Sequence, residues 1–328
     1  MKRELLSSVA VAMALLAPVS SAQNPLDFGS DIRTADPSAH VWQDGKMYLY
    51  TSHDEECQPD FFMKDWHVFS STDLVNWTDH GAVLSVDDLS WADNYAWAPD
   101  AAYKDGKYYF VFPAGTGHKD RVNPEKSTKW MGIGVAVSDS PTGPFKDAIG
   151  EPLWREPYAN DPALFIDDDG QAYLYFHGSN FDYYVAEMAD DMRSIKGDFQ
   201  KMDMGGHEPK MEGPWVFKRG DKYYFTMPEG NRVLTYYMAD SPKGPWEYQG
   251  VIMEQEHESN NHHSIVEYKG QWLLFYHRWL DTPESDCNKK QRHVAAEYLQ
   301  FNEDGTIQKV KRTKEGVSDF AERLKMAP

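Results

Sequence analysis

Cysteine is nearly missing from this chain: 328 residues contain two, Cys57 and Cys287. A fold stapled by several disulfides is thereby excluded, and at most one bridge is available. Basic residues are scarce relative to acids, with 33 Lys and Arg against 52 Asp and Glu, for a net charge of −19. No local basic patch relieves that excess, so phosphate backbones and anionic lipid are poor partners. Beyond the start of the chain no apolar run approaches the roughly 20 residues that a membrane helix requires. No stretch sustains a 3.6-residue apolar period, and little helix is expected. Neither a His-Glu-x-x-His sequence nor a paired-Cys motif is present, which removes the usual marks of a zinc hydrolase.

Aromatic residues, by contrast, are plentiful, at 14% with 11 Trp and 19 Tyr. Rings of this kind stack against flat apolar faces such as those of sugars, although they also favour strands for their own sake. The 41% hydrophobic and 26% charged fractions are those of an ordinary globular domain. At the start, Lys2 and Arg3 precede the apolar run Val9 to Ala17, and Ser20-Ser21-Ala22 supplies small residues. Residues 1–22 read as a secretory signal peptide, removed on export, because Pro18 and Ser20 cut the run too short to span a bilayer. The expected location is secreted or periplasmic, an oxidising compartment where Cys57 and Cys287 either pair or stay as two loop thiols. No linker or charge block divides residues 23–328, which are taken as one domain.

A self-comparison reveals the architecture. Five segments share an alternating apolar strand, a Gly turn and a Tyr-rich strand, starting at Asp36, Trp97, Asp161, Glu212 and His262. Their turn glycines are Gly45, Gly106, Gly170, Gly220 and Gly270, at spacings of 61, 64, 50 and 50 residues. Asp-Gly and its relatives supply the positive φ of tight hairpin turns. The near-copies SDSPTGPF from Ser138 and ADSPKGPW from Ala239, with STDLVNW from Ser71 as a looser relative, mark a later turn of each repeat. Four strands repeated five times describe an all-β, five-bladed β-propeller. A sandwich would not show five equivalent hairpins, and a β-helix has a shorter period.

The first strand of a propeller blade lines the central channel, so the opening residues Asp36, Trp97, Asp161, Glu212 and His262 should converge at one end of it. Asp-Pro and Glu-Gly-Pro are also common turn starts, where an acid often only caps its own backbone. Three acids at matched positions of separate blades point instead to chemistry. Acids around a sugar-sized aromatic pocket suit glycosidic bond cleavage, which needs one protonated carboxylic acid for the leaving oxygen and one carboxylate to activate water. A third carboxylate beside the acid raises its pKa by like-charge repulsion.

The segments TADPSAHVW, YAWAPDAAYKDGKYY, NDPALFIDDDGQAYLYF, MEGPWVFKRGDKYYF and NNHHSIVEYKGQWLLFYH, in this order, resemble glycoside hydrolase family 43. The resemblance covers essentially residues 23–328. It implies a five-bladed propeller that inverts the anomeric centre, acting as a β-xylosidase, α-L-arabinofuranosidase, arabinanase or relative. By the same resemblance Asp36 is similar to the general base, Glu212 to the general acid, and Asp161 to the acid that orients Glu212 and tunes its pKa. His262 looks like the channel histidine that holds a central Ca²⁺ or other hard cation, with His263 as its rival. A cation among Asp36, Asp161 and Glu212 would offset their repulsion, and water-rich coordination suits a hard ion better than zinc.

Trp97 is the expected sugar platform, and His53, Asp54, Arg278 and Arg292 are expected polar substrate contacts, Arg278 having charge compensation as its plainer role. Phe61, Trp66, Trp91, Phe181 and Trp215 are expected to pack between blades. The resulting expectation is an exported, inverting, exo-acting glycosidase on terminal β-D-xylosyl or α-L-arabinofuranosyl residues, its partner an oligosaccharide or polysaccharide. A galactan- or arabinan-directed hydrolase and a non-catalytic carbohydrate-binding propeller are the alternatives.

Overall fold

The computed structural model describes residues 24–55, 61–116, 130–155, 158–207, 211–230, 233–254, 262–279 and 291–326. Residues 1–22, Cys57 and Cys287 lie outside them, and with them the signal-peptide and disulfide expectations. Nineteen strands form five antiparallel sheets. The first blade holds β1 (Thr34–Val41), β2 (Met47–His53), β3 (Asp65–Ser71) and β4 (Trp77–Ser85). The second holds β5 (Asp100–Lys104), β6 (Lys107–Thr116), β7 (Trp130–Ser138) and β8 (Lys146–Asp147), and the third β9 (Asn160–Ile166), β10 (Ala172–His177), β11 (Tyr183–Met188) and β12 (Ile195–Lys201). The fourth holds β13 (Trp215–Arg219), β14 (Lys222–Glu229), β15 (Val233–Ala239) and β16 (Glu247–Glu254). Among the described residues the last contains β17 (His263–Tyr268), β18 (Gln271–Trp279) and β19 (Arg292–Leu299).

The chain is a five-bladed propeller, as its repeats predict. All five hairpin glycines have positive φ, from 58° at Gly220 to 82° at Gly170, and none has a neighbour that a side chain would strike. Backbone conformation, not crowding, demands glycine there. The fifth blade departs from the expected four strands. In place of a fourth strand, the N-terminal segment runs beside β19: the Leu26 amide donates to Val294, and the Asn24 side chain bonds both the amide and the carbonyl of Ala296. Leu26 and Phe28 are buried there with Phe69, Phe275 and Phe320, the last from α1 (Phe320–Met326).

Five hydrophobic clusters each join one blade to the next; Tyr50 and Trp66 with Phe110 and Phe112 form one, and Tyr175 with Phe225 and Trp246 another. The repeated SPxGP turns have a role in this packing. Tyr50 Oη donates to Pro141 O at 2.7 Å and Tyr175 Oη to Pro242 O at 2.6 Å, while Tyr268 Oη reaches Thr72 O at 3.0 Å. Tyr50 and Tyr175, on the second strands of their blades, and Tyr268, at the end of the first strand of the fifth, thus each satisfy a turn of the following blade, which accounts for part of the Tyr-rich repeat.

Candidate active site

Two of the three acids are held by the same backbone device. On β1, Ala35 pairs with Ser52 and Ser38 with Tyr50, so Asp36 and Pro37 together oppose Thr51. On β9, Asn160 pairs with His177 and Ala163 with Tyr175, so Asp161 and Pro162 together oppose Phe176. Each is a β-bulge whose first residue has left-handed φ, 52° at Asp36 and 48° at Asp161. Such strain, about 1–3 kcal/mol per residue, re-aims a side chain out of the normal pleat.

The counterpart in the fourth blade is Gly213, with φ 82° and followed by Pro214. Glu212 therefore lies one residue before the matched position, on the lead-in to β13, and Trp97 likewise precedes Ala98-Pro99. Equivalence of all five opening residues is corrected accordingly. All five nonetheless line one cavity of about 220 Å³, together with Phe61, Met63, Ala98 and Arg292. Glycine is favoured at 213 twice over, by the positive φ and because a Cβ would lie 3.2 Å from His262 Nδ1; its amide donates to Asp161 Oδ2 at 3.1 Å.

Asp36 is buried. Ser52 Oγ donates to its Oδ2 at 2.5 Å, Arg292 Nη1 to its Oδ1 at 3.0 Å, and His277 Nδ1 lies 3.3 Å from Oδ1. Burial alone would raise its pKa, but the charge of Arg292, then His262 and His277, holds it well below the usual carboxylate range. His277 itself is pushed down, chiefly by its complete burial.

Asp161, also buried, has His177 Nε2 at 3.3 Å from Oδ2 and His262 Nε2 at 3.7 Å from the same oxygen. His177 Nε2 is 3.9 Å from Glu212 Oε2. Burial works to lower the His177 pKa, yet its contacts with Asp161 and then Glu212 carry it above the ordinary value. Glu212 is the most exposed of the three acids that line the cavity, its side chain 24% exposed against 3% for Asp161 and 4% for Asp36.

Of the expected polar contacts, Arg292 lines the cavity. Asp54 does not: it is buried behind Arg292 and binds it. His53 is turned to Asp65, 2.9 Å away, and Arg278 is not among the lining residues. Trp97 lines the wall, its Nε1 donating to Phe61 O at 2.8 Å. Phe61, expected between blades, is a wall residue with Arg292 over its ring at 4.9 Å. Phe181 is 39% exposed and stacks on His177 at 5.4 Å, whereas Trp66, Trp91 and Trp215 do pack between blades.

His177 and His277 escaped the sequence reading, although the repeat contains a signal for them. Each stands seven residues after its turn glycine, as does Ser52, the third residue that touches an acid. Asp161, Glu212 and His262 also bring one ligand atom each within 4.8 Å of one another, a candidate site for a metal ion. His263 faces away, its Nε2 2.6 Å from Thr226 Oγ1.

The sequence profile of the glycosyl hydrolases family 43 matches residues 28–307. A protein named xylosidase/arabinosidase 43A from Humicola insolens is 37% identical, the alignment covering 85% of this chain and 97% of that protein. A xylosidase/arabinosidase from Bacteroides ovatus is 36% identical over 83% of this chain and 93% of its own. Among solved structures, a family 43 β-xylosidase/α-arabinofuranosidase from a compost microbial metagenome superposes with a TM-score of 0.76 at 36% identity, covering 88% of this chain and 97% of that one. That structure is a complex with xylotriose in calcium-free form.

Proposed function

Since the chain belongs to glycosyl hydrolases family 43 and is therefore a glycoside hydrolase, we propose that it releases terminal β-D-xylosyl or α-L-arabinofuranosyl residues with inversion. The unequal exposure of the three acids supports this assignment of roles. Asp36, buried and kept ionised by Arg292, acts as the base that takes a proton from the attacking water. Glu212, the most exposed of the three, donates a proton to the glycosidic oxygen. Asp161 sits behind it, held by the Gly213 amide, and orients Glu212 through the 212–213 peptide and through His177. Two carboxyl groups on opposite faces of the sugar, with room for water at one of them, give inversion.

The described walls enclose about 220 Å³, below the roughly 300–1,000 Å³ of sites for larger ligands, which favours one terminal sugar ring and hence exo action. Trp97 and Phe61 offer the apolar faces. A hard cation such as calcium beside Asp161, reached by His262 through water, would neutralise part of the carboxylate charge at the channel mouth; Glu212 has to remain outside its coordination to carry a proton. The basic and then apolar pattern of residues 1–22 supports export.

The test is proton NMR of the first product from xylo-oligosaccharides and arabinofuranosyl oligosaccharides. Inverted anomers are expected. Retention would remove Asp36 from the base role, and no release from any pentosyl substrate would overturn the pentosyl assignment in favour of a galactan-directed hydrolase or a binding propeller.

A further inference from the structure

On the first blade, away from the sugar cavity, His53, Asp65 and His67 converge. Strands β2 and β3 pair with Thr51 opposite His67 and Ser52 opposite Trp66. The same register sets His53 opposite Asp65, and the alternation of side chains puts His53, Asp65 and His67 on one face of the sheet. His53 Nδ1 lies 2.9 Å from Asp65 Oδ1, and His67 Nε2 lies 3.4 Å from the same oxygen. One ligand atom from each residue falls within 4.8 Å of the other two.

Those separations are the edges of a coordination polyhedron. With metal–ligand bonds of about 2.0–2.1 Å, neighbouring ligands stand about 2.9 Å apart at a right angle and about 3.4 Å apart at the tetrahedral angle. We propose that His53, Asp65 and His67 form a binding site for a divalent transition ion of the zinc class. Two imidazoles and one carboxylate select such an ion over calcium or magnesium, which prefer all-oxygen sites.

The surroundings agree. His53 and Asp65 are about a quarter exposed and admit an ion with its remaining water, while His67 is nearly enclosed. Glu55 adds negative charge close to both His53 and Asp65. The ligands stand on two hydrogen-bonded strands, a rigid frame that limits the rearrangement needed on binding. β2 ends at His53 and is followed at once by Asp54, so an ion here would pin the end of the strand that leads to the Arg292 anchor.

The full chain without an affinity tag, stripped by chelation, is titrated with zinc by calorimetry. One zinc per chain is expected, weakened at least tenfold by His53→Ala and by His67→Ala and unchanged by His262→Ala, which alters only the cavity cluster. X-ray absorption of the zinc-loaded wild type should show two imidazoles on the metal, a readout independent of how the variants fold. No zinc binding by the wild type, affinity unaffected by both histidine changes, or fewer than two imidazoles overturns the proposal.

Discussion

Asp54 clamps Arg292 with both carboxylate oxygens, Oδ1 to Nη2 at 2.8 Å and Oδ2 to Nε at 3.0 Å, and accepts the Arg292 amide at 2.9 Å as well. The remaining nitrogen, Nη1, is thereby aimed at Asp36. A bidentate pair fixes the plane of the guanidinium, so the position of the proposed base depends on a residue outside the cavity. Asp54→Asn keeps the shape but loses the charge-assisted clamp. It should lower kcat about 10- to 100-fold, in the range of a misplacement near 1 Å, with KM nearly unchanged. Steady-state kinetics on an aryl xyloside would decide; a raised KM at constant kcat would make Asp54 a direct substrate contact.

Arg292 sets the charge of Asp36 as well as its place. In the wild type the depressed pKa of Asp36 keeps it ionised across the working range, so it contributes no acidic limb to kcat/KM. Arg292→Gln removes the largest opposing charge and lets burial raise the pKa of Asp36. An acidic limb should then enter from the low-pH side, activity falling as pH decreases. Two buried carboxylates also lose their shared partner, at a cost of about 3–5 kcal/mol, so the lysine variant is the folded control. An unaltered pH profile in a folded Arg292→Gln protein would dissociate Arg292 from the base.

The blades were legible because hairpin chemistry is local: a Gly at positive φ between alternating strands requires no knowledge of the rest of the chain. Closure of the ring was not, since Asn24 to Phe28 form no strand pattern and find their partner in β19 at the far end of the sequence. Counting from the turn glycine brought the right acids together yet misaligned Glu212 by one residue. Counting from the proline instead would have matched Gly213 with Asp36 and Asp161. Asp54 and His53 read as substrate contacts because they follow the second strand of the first blade. Their partners, Arg292 and Asp65, come from other strands, and only the register of the sheet assigns them.

The two catalytic roles separate by leaving group. An acid is needed in proportion to the basicity of the departing oxygen, whereas the base acts on water whatever leaves. Glu212→Gln should therefore cost about 10²–10⁴-fold on xylobiose and far less on 4-nitrophenyl β-xyloside. Asp36→Asn should cost a similar large factor on both. The ratio of kcat/KM between the two substrates is the measurement, and equal losses for Glu212→Gln on both would deny it the acid role.

His293 should contribute to the loss of stability on the mildly acidic side, in the same sense as His277. It is buried on β19, its Nε2 facing Arg33 Nη1 at 2.9 Å. Burial first, and then the Arg33 charge, lower its pKa from 6.5 to about 4. Between those values the unfolded chain binds a proton that the folded chain refuses, so folding stability falls as pH drops through 6.5 and the loss levels off near pH 4. The gap corresponds to at most about 3 kcal/mol. His53 works in the opposite sense: its pKa is raised by Asp65, so its contribution is present below pH 6.5 and fades as pH rises. The depressed carboxyls of Asp36 and Asp65 lose their contribution only as pH falls below about 3.8, outside this window. His293→Gln keeps an acceptor for Arg33 without titrating, so calorimetric melting at pH 7 and 4.5 should show a smaller drop in Tm than the wild type. Equal drops would mean that His293 takes up its proton freely in the folded state.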